Sequence, residues 1–324
     1  MKKATVAWLI AAAVFVVLGS VLFVGVLAAN HWTFSAIGTR YETNTIPVVE
    51  PFRNLSIQSD TADIAFLRSD DGTCKAVFHE HPKIRHTAVV QDGTLVITAV
   101  DTREWFEMIG ISFDSPNITV YLPEQNYGDL VIDEHTGKIT IPKDFTFANI
   151  FATASTGDVA CFAQAEQTMQ IKTSTGDIRV QGVAVGELVL SVTTGKVIAD
   201  SVESKGDVRV NVSTGRAELK DVACENLISA GSTGGIRLTN VLANGSISME
   251  RSTGNVQLDQ CDAAELTIRT DTGNVTGSLR SEKVFAVKSD TGRVEVPETM
   301  SGGLCKITTD TGNIRITISQ PGEP

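Results

Sequence analysis

Three copies of Asp-Thr-Gly, the triplet that carries the catalytic aspartate of aspartic proteases, occur at residues 271–273, 290–292 and 310–312. Proteolysis of that kind needs two aspartates from pseudo-symmetric lobes, close enough to share one proton. The three triplets instead belong to a longer series of Thr-Gly pairs, in which the preceding residue is otherwise Ser, Thr or His. This shared register predicts a ladder of aspartates along one surface and disfavours a protease active site.

Thr-Gly pairs recur in phase, and successive glycines are 19 or 20 residues apart. The ten glycines in this series are Gly137, Gly157, Gly176, Gly195, Gly215, Gly234, Gly254, Gly273, Gly292 and Gly312. Residues two and four positions after each glycine are mostly apolar, and so are residues five and seven positions before it. Alternation on both sides of a turn is typical of half-buried strands, and a period this short fits one coil of a β-solenoid.

The sequence therefore predicts an all-β fold, a right-handed parallel β-solenoid with about 19–20 residues per coil. Ten coils at a spacing of about 4.8 Å would form a rod about 48 Å long. The ten glycines are predicted to be structural turn residues, because a corner needs a positive φ or a close approach of two backbones. The residues that follow them mix Asp and Asn with Lys and Arg, which indicates a solvated face and disfavours a calcium ladder.

Composition narrows the classes of partner. The formal net charge is −11 and the pI is near 5.0, which argues against nucleic acid as a partner because a phosphate backbone requires a basic surface. No CxxC motif occurs, so a zinc site is not predicted, and the spacing of the cysteines within the coils predicts free thiols there. The five cysteines are Cys74, Cys161, Cys224, Cys261 and Cys305.

The stretch FHEHPKIRH contains His79, His81 and His86, and two of these histidines share a strand face, so metal binding is one interpretation. A solvated strand and loop is the favoured one, since Lys83 breaks the HExxH pattern and Pro82 opposes a helix. No catalytic, cofactor-binding or metal-binding residue is predicted, and no cofactor is expected.

An uncharged, mainly apolar run at residues 4–29 follows Lys2 and Lys3. About 20 residues suffice to cross a bilayer, whereas the apolar part of a signal peptide has about 7–15, so a transmembrane helix is favoured over a signal peptide cleaved near VLAAN. The lysines before the run place residues 1–3 in the cytoplasm and the rest of the chain outside.

The remaining segments are predicted from their composition. Residues 30–48 read as a linker and residues 49–130 as a β-rich cap, either a widened start of the solenoid or a small sandwich. Residues 131–318 hold the repeats, and the tail 319–324 is expected to blunt the open edge. The aromatic stretch at residues 102–113 is interpreted as core of the cap, with a membrane-proximal or partner-binding loop as the alternative.

The phased copies STGDV, STGNV and DTGNV resemble the bacterial β-strand-repeat family of unknown function described as putative adhesins, which includes LiaG-like cell-envelope proteins. The resemblance extends over residues 49–318, and many members share the N-terminal anchor. It implies a solenoid on the outer face of the cytoplasmic membrane, linked to envelope stress or surface interactions, and it supplies no binding residues.

Three functions follow from this organisation. The favoured one is a non-enzymatic, membrane-anchored binding or scaffold module, whose partners are the membrane, through the helix, and an unknown envelope protein or wall polymer. The alternative is a carbohydrate-active β-helix enzyme, which would need acidic residues concentrated in one cleft. The third is a structural spacer. A fold shared with β-helix enzymes does not by itself indicate catalytic activity.

Overall fold

The computed structural model describes residues 3–29, 41–104 and 115–319, and within them one helix, α1 (Lys3–Ala29), precedes an all-β body. The helix contains a 19-residue window, Trp8–Val26, with a mean hydropathy of 2.8, which is long and apolar enough to cross a membrane. The tail 320–324, most of the aromatic stretch and residues 30–40 of the predicted linker lie outside the described residues.

Among the described residues, seven strands form the N-terminal part of the β body and seventeen form the repeats. The first seven are β1 (Glu42–Val48), β2 (Asn54–Thr61), β3 (Asp63–Arg68), β4 (Cys74–Glu80), β5 (Ile84–Gln91), β6 (Thr94–Asp101) and β7 (Asn117–Leu122). The others are β8 (Asn126–Thr136), β9 (Ile139–Ile141), β10 (Thr146–Thr156), β11 (Val159–Cys161), β12 (Gln164–Thr175), β13 (Ile178–Ser204), β14 (Val208–Cys224), β15 (Leu227–Thr233), β16 (Ile236–Ala243), β17 (Ser246–Thr253), β18 (Val256–Cys261), β19 (Glu265–Thr272), β20 (Val275–Leu279), β21 (Lys283–Thr291), β22 (Val294–Glu295), β23 (Gly303–Thr311) and β24 (Ile314–Ile318).

Strands of neighbouring coils pair in parallel, and the pairing joins residues one repeat apart. In the β13–β14 pair, Leu190 lies opposite Val210 and Gly195 lies opposite Gly215. Because the sequence period equals one coil, each residue type stacks on its own kind at about 4.8 Å. The predicted parallel β-solenoid is therefore confirmed.

A glycine occupies each of the ten predicted Thr-Gly corners, because neighbouring coils approach too closely there for a side chain. A Cβ added at Gly215 would lie 1.7 Å from the carbonyl oxygen of Gly195, and a Cβ at Gly234 would lie 1.6 Å from that of Gly215. The φ angles of +140° at Gly215 and +118° at Gly234 are also ones that L residues rarely adopt. Close approach and backbone conformation thus require glycine at the same position.

One hydrophobic core runs through the inside of the coils. It is built from the columns two and four residues after the corner glycines, where Val197 and Ala199 are fully buried. All five cysteines are buried free thiols. Burial raises the pKa of the Cys161 thiol to about 12, so this side chain acts as a small hydrophobe and not as a nucleophile.

A second corner, which the sequence analysis did not identify, lies six residues after the glycine in five successive coils. Its residues have φ between 51° and 66°, in the left-handed region. They are Gly182, Ser201, Asp221, Asn240 and Gln260. Four of these five residues are Gly, Ser, Asp or Asn, which are common in turns and include the types that best tolerate a left-handed conformation. Their recurrence at the same position of each coil was the sequence signal for this corner.

At the C-terminal end, the order of the coils differs from their order in the chain. Strand β23 lies between β19 and β21, and β24 lies between β20 and β22. The last coil is thus inserted between its two predecessors, and residues 283–295 form the open end. The tail 319–324, which was expected to blunt the open edge, follows the inner strand β24, and most of it lies outside the described residues. All coils present the same columns, so a coil fits at either face of its predecessor.

The N-terminal end has the same feature. Strand β2 lies between β6 and β8, and β3 lies between β7 and β9. Ala62 takes the corner position of this coil, and its carbonyl oxygen would be 2.1 Å from a Cβ at Gly137. The region predicted as a cap therefore begins as a solenoid coil.

Antiparallel strands close the N-terminal end. Strand β4 pairs antiparallel with β7, β1 pairs with β4, and β5 pairs with β6. The predicted linker over residues 30–48 therefore needs correction, because residues 42–48 form β1. That strand covers the outer edge of β4, which would otherwise expose unpaired backbone groups.

Candidate functional site

A polar groove runs along the outer face of the last six coils, over the strands that follow the corners. It consists of two segments of about 570 and 420 Å³ that meet at Asn255 and Gln257. The polar groove is defined by Arg216, Glu218, Gly235, Arg237, Asn255, Gln257, Asn274, Thr276, Arg293, Glu295, Asn313 and Arg315. Five coil spacings give it a length of about 24 Å.

Strand alternation places these side chains outside. The groove residues lie one and three positions after the corner glycines. The residue between them, such as Val256 or Val275, is buried in every coil of the groove except the outermost, where Val294 is exposed. Outward positions of neighbouring coils are about 4.8 Å apart, so the groove presents two parallel columns of polar side chains on a rigid sheet.

Three asparagines form a ladder at the first of these columns. The Oδ1 atom of Asn255 accepts a hydrogen bond from the backbone N–H of Asn274 (2.9 Å). Asn274 accepts in the same way from Asn313 (2.7 Å), and Asn313 from Arg293 (2.8 Å). These bonds hold the amides in one orientation. Within the part of the chain that the structure describes, the Nδ2 groups of these asparagines have no hydrogen-bond partner.

The same ladder is made by carboxylates in the N-terminal half. Asp158 accepts from the N–H of Asp177 (2.8 Å), and Asp177 accepts from the N–H of Lys196 (2.7 Å). The oxygen therefore serves the fold in both halves, because it satisfies a backbone donor at the corner. Where the groove has asparagine instead of aspartate, the oxygen that accepts the backbone hydrogen bond is kept, and only the solvent-facing group changes from a carboxylate oxygen to an amide nitrogen. The groove thus replaces negative charge with hydrogen-bond donors.

Arginines dominate the charge of the polar groove. Four arginines and two glutamates give it a formal charge of +2, although the whole chain carries −11. Glu295 lies 2.7 Å from Nε of Arg315 and 3.7 Å from Nη1 of Arg293. The bond from Arg315 lowers the pKa of the Glu295 carboxyl, so this group is a poor general acid near neutral pH.

Two of the arginines are oriented through Nε. Arg237 donates from Nε to Oε1 of Gln257 (2.9 Å), and Arg315 donates from Nε to Glu295 (2.7 Å). A guanidinium held in this way keeps its two terminal nitrogens for a second, bidentate partner. The groove can therefore bind planar anions and hydroxyl pairs.

The three aspartates of the Asp-Thr-Gly triplets do not converge on a cleft. They lie in successive coils in the spatial order Asp271, Asp310, Asp290, since Thr311 pairs with both Thr272 and Thr291. Asp290 lies 2.7 Å from Nζ of Lys288, and Asp271 lies 3.7 Å from Arg269. This surface arrangement lacks the facing pair of lobes that proteolysis requires.

The histidine-rich stretch forms a structural pair. His86 is buried, its Nδ1 atom lies 2.7 Å from Oε2 of Glu80, and its ring stacks on Phe78. His79 instead contacts Thr43 (3.2 Å). In residues 3–29, 41–104 and 115–319, no group of three or more His, Cys, Asp or Glu side chains is placed to hold a metal ion.

Glu134 is a buried acid that the sequence analysis did not identify. It stands three residues before Gly137 and is fully buried. Its Oε1 atom accepts from the N–H groups of Ala62 (3.3 Å) and Thr136 (3.1 Å), whereas Oε2 has no hydrogen-bond partner among the described residues. Burial raises the pKa of this carboxyl to about 7. The available signal was a charged residue in a column that, apart from Arg251, contains only small or β-branched residues.

Arg251 is a buried cation in the same column, six coils away from Glu134. Its terminal nitrogens donate to Oγ of Ser229 (2.9 Å) and to the carbonyl of Val212 (3.3 Å). It crosses Gly231, where a Cβ would lie 1.6 Å from Nη1. Burial lowers the pKa of its guanidinium. Both buried charges are enclosed, so they are not part of the solvent-facing groove.

The comparisons with known proteins rest on distant similarity. The solved structures that resemble the chain include a putative adhesin from Bacteroides fragilis (14% identity, 85% of this chain, 97% of that chain, TM-score 0.42). They also include, from Parabacteroides distasonis, a putative lipid binding protein (15% identity, 82% of this chain, 96% of that chain, TM-score 0.42) and a putative adhesin (13% identity, 86% of this chain, 99% of that chain, TM-score 0.45). No curated protein matched the sequence. At these identities and scores, no function can be transferred.

The family match is more extensive. The family described as Toastrack DUF4097 matches residues 52–211 and again residues 203–323, which together include every coil of the solenoid. The resemblance to the β-strand-repeat family of putative adhesins is therefore confirmed. The match covers well over half of the 324 residues, and the chain belongs to the DUF4097 (Toastrack) family.

Proposed function

We propose that this protein is a membrane-anchored, extracytoplasmic binding module of the bacterial cell envelope, without enzymatic activity. In this proposal α1 crosses the cytoplasmic membrane and the solenoid lies outside. The polar groove is the binding surface for an envelope component.

Features of the sequence and the helix support the anchor. The window Trp8–Val26 is uncharged, and Lys2 and Lys3 precede it. Positive residues before a first apolar helix favour a cytoplasmic N-terminus, which would place the solenoid outside. The helix is longer than the apolar region of an ordinary signal peptide, which supports retention of the anchor.

The polar groove is the observation that carries the binding role. It joins six coils on one face, its amides are held by the backbone of the neighbouring coil, and its arginines oppose the overall charge of the chain. A spacer needs none of these features. Rigid, oriented donors are what a preorganised binding surface requires.

The chemistry of the groove disfavours the alternative of a carbohydrate-active enzyme. Glycoside hydrolysis generally uses two carboxyl groups, one of which is a general acid with a raised pKa. The two carboxylates of the groove, Glu218 and Glu295, are each ion-paired with an arginine. Burial raises the pKa of Glu134, but that carboxyl is enclosed and cannot contact a polymer.

Labelling in intact cells tests the anchor and the topology. Ser174 is exposed, whereas the five native thiols are buried, so a Ser174→Cys variant carries one accessible thiol. We expect a membrane-impermeant maleimide to label this variant in intact protoplasts, and the native protein to remain unlabelled. The labelled protein should stay in the membrane pellet after carbonate washing. Labelling only after lysis, or release into the medium, would contradict the proposed topology.

Site-specific crosslinking in living cells tests the binding role. A photo-crosslinking amino acid replaces Gln257 in the groove of the full-length chain. The control carries it at Glu250, which is exposed on β17, the strand before the corner of the same coil. We expect one reproducible adduct, identified by mass spectrometry, from position 257 and not from position 250. Equal capture at both positions, or none at position 257, argues for a spacer.

A further inference from the structure

We propose that the polar groove recognises an extended, hydroxyl-rich anionic polymer, such as an acidic glycan or a polyol phosphate, through its amides and arginines. This inference rests on the proposed function and names the class of ligand. One strand of such a polymer would lie along the groove, across successive coils.

The hydrogen-bonding groups of the groove match hydroxyl groups. Asn255, Asn274 and Asn313 each keep an amide nitrogen for a ligand, because their oxygens accept from the next coil. Gln257 and Thr276 lie beside them in the second column. A polyhydroxyl chain offers acceptor oxygens to these neutral donors at each of its units, in addition to the anionic groups that the arginines bind.

The arginines supply the preference for anions. Arg237 and Arg315 are oriented by Nε and present their terminal nitrogens, which suits bidentate contact with a carboxylate or a phosphate. Arg216 and Arg293 carry the same charge toward the two ends of the groove. The groove has a formal charge of +2 on a chain of −11, so an anionic chain meets less repulsion at this face than the overall charge would produce.

The spacing of the groove fits a polymer better than a single small molecule. Equivalent donors recur at each coil, about 4.8 Å apart, over about 24 Å. An extended glycan advances along its axis by about one coil spacing per sugar ring, so several rings could contact equivalent residues. Each contact is exposed and weak, and repeated contacts along one chain would add to useful affinity.

Direct binding tests the class of ligand. Full-length protein in nonionic micelles is titrated at low salt with four polymers of similar length: polygalacturonate, poly(glycerol phosphate), neutral dextran and polyglutamate. We expect one or both of the first two to bind, and the better one identifies carboxylate or phosphate as the anion. Dextran lacks charge and polyglutamate lacks hydroxyl groups, so both should bind at least about tenfold more weakly.

A matched pair of double variants ties binding to the groove. Arg237→Gln with Arg315→Gln removes two charges inside it, and Arg179→Gln with Lys196→Gln removes two charges from the same columns in the N-terminal half. The groove variant should weaken binding at least about tenfold, and the control should change it less than about twofold. Circular dichroism checks that both variants fold.

The outcomes separate this inference from the proposed function. Equal binding of dextran or polyglutamate, or equal loss in the two double variants, overturns the ligand class. If no polymer binds although position 257 captures a partner such as a protein in cells, this inference fails and the binding role stands. If neither binding nor position-specific capture is seen, both fail.

Discussion

Replacing Glu134 by glutamine should remove a pH-dependent loss of stability. The carboxyl has an ordinary pKa of 4.5, and burial raises this pKa to about 7 in the folded protein. Folding therefore favours the protonated form. The stability that protonated Glu134 contributes is complete below about pH 4.5 and is lost as pH rises through about 7.

The magnitude follows from the two pKa values. A difference of about 2.5 units corresponds to about 3 kcal/mol at 1.36 kcal/mol per unit. Glutamine cannot ionise, so the Glu134→Gln variant escapes this loss. Its amide nitrogen would take the place of Oε2, which has no hydrogen-bond partner within the described part of the chain, and that costs about 1–3 kcal/mol at every pH. The offset is constant, so the pH dependence alone reports the charge.

Urea unfolding, followed by far-UV circular dichroism at pH 4 and pH 8, measures this effect. Between these pH values, the native protein should lose about 3 kcal/mol more stability than Glu134→Gln. Glu166→Gln removes an exposed carboxylate and serves as the control, for which we expect the native pH dependence. An identical pH dependence in the native protein and Glu134→Gln would refute the raised pKa and the burial argument.

Three further changes probe the packing of the coils. Gly215→Ala places a Cβ 1.7 Å from a carbonyl oxygen and should lower the free energy of unfolding by more than about 3 kcal/mol in the same urea assay. Gly72 is the control, because it also has a positive φ but has open space around it, and Gly72→Ala should lower the free energy of unfolding by only about 1 kcal/mol. Arg251→Met replaces a buried, unpaired charge by an apolar chain, so the urea midpoint should not fall; a large fall would show that its hydrogen bonds are essential. Deletion of residues 303–319 removes the inserted coil, and limited proteolysis should then cut within 283–295; protection of that segment would contradict the observed coil order.

The repeats could be predicted because the fold is periodic. A glycine at every 19 or 20 residues marks the corner, and the apolar columns beside it mark the core. Both features arise because equivalent residues of neighbouring coils stack on each other, so the local sequence pattern also indicates the contacts between coils. The second corner was missed because its residues, such as Ser201 and Gln260, share a conformation and not a residue type.

The ends of the rod could not be predicted in the same way. Asn313 contacts Asn274, which is 39 residues away, because the last coil is inserted between its two predecessors. The repeats are equivalent in sequence, so the sequence does not indicate which neighbour each coil selects. Strand β1 was missed because its residues alternate without strongly apolar ones until Ile46. It forms because β4 offers an unpaired edge.

The polar groove was interpreted only as a solvated face. Its residues follow the corner glycines singly, and each one alone reads as an exposed turn residue. The site appears only when Arg237, Gln257 and Arg315 are placed in their spatial order and their charges are compared with those of the N-terminal half. The spatial order of these residues depends on the order of the coils, which cannot be read from the sequence of a single repeat.

The most direct test of the binding role combines sedimentation with a reducing-end assay. Purified full-length protein is mixed with isolated bacterial envelope polymer, and both the pelleted protein and newly formed reducing ends are measured. We expect the native protein to pellet with the polymer without forming reducing ends, and the Arg237→Gln, Arg315→Gln variant to stay in the supernatant. Formation of reducing ends by the native protein would contradict a non-enzymatic binding module and identify a carbohydrate-active enzyme.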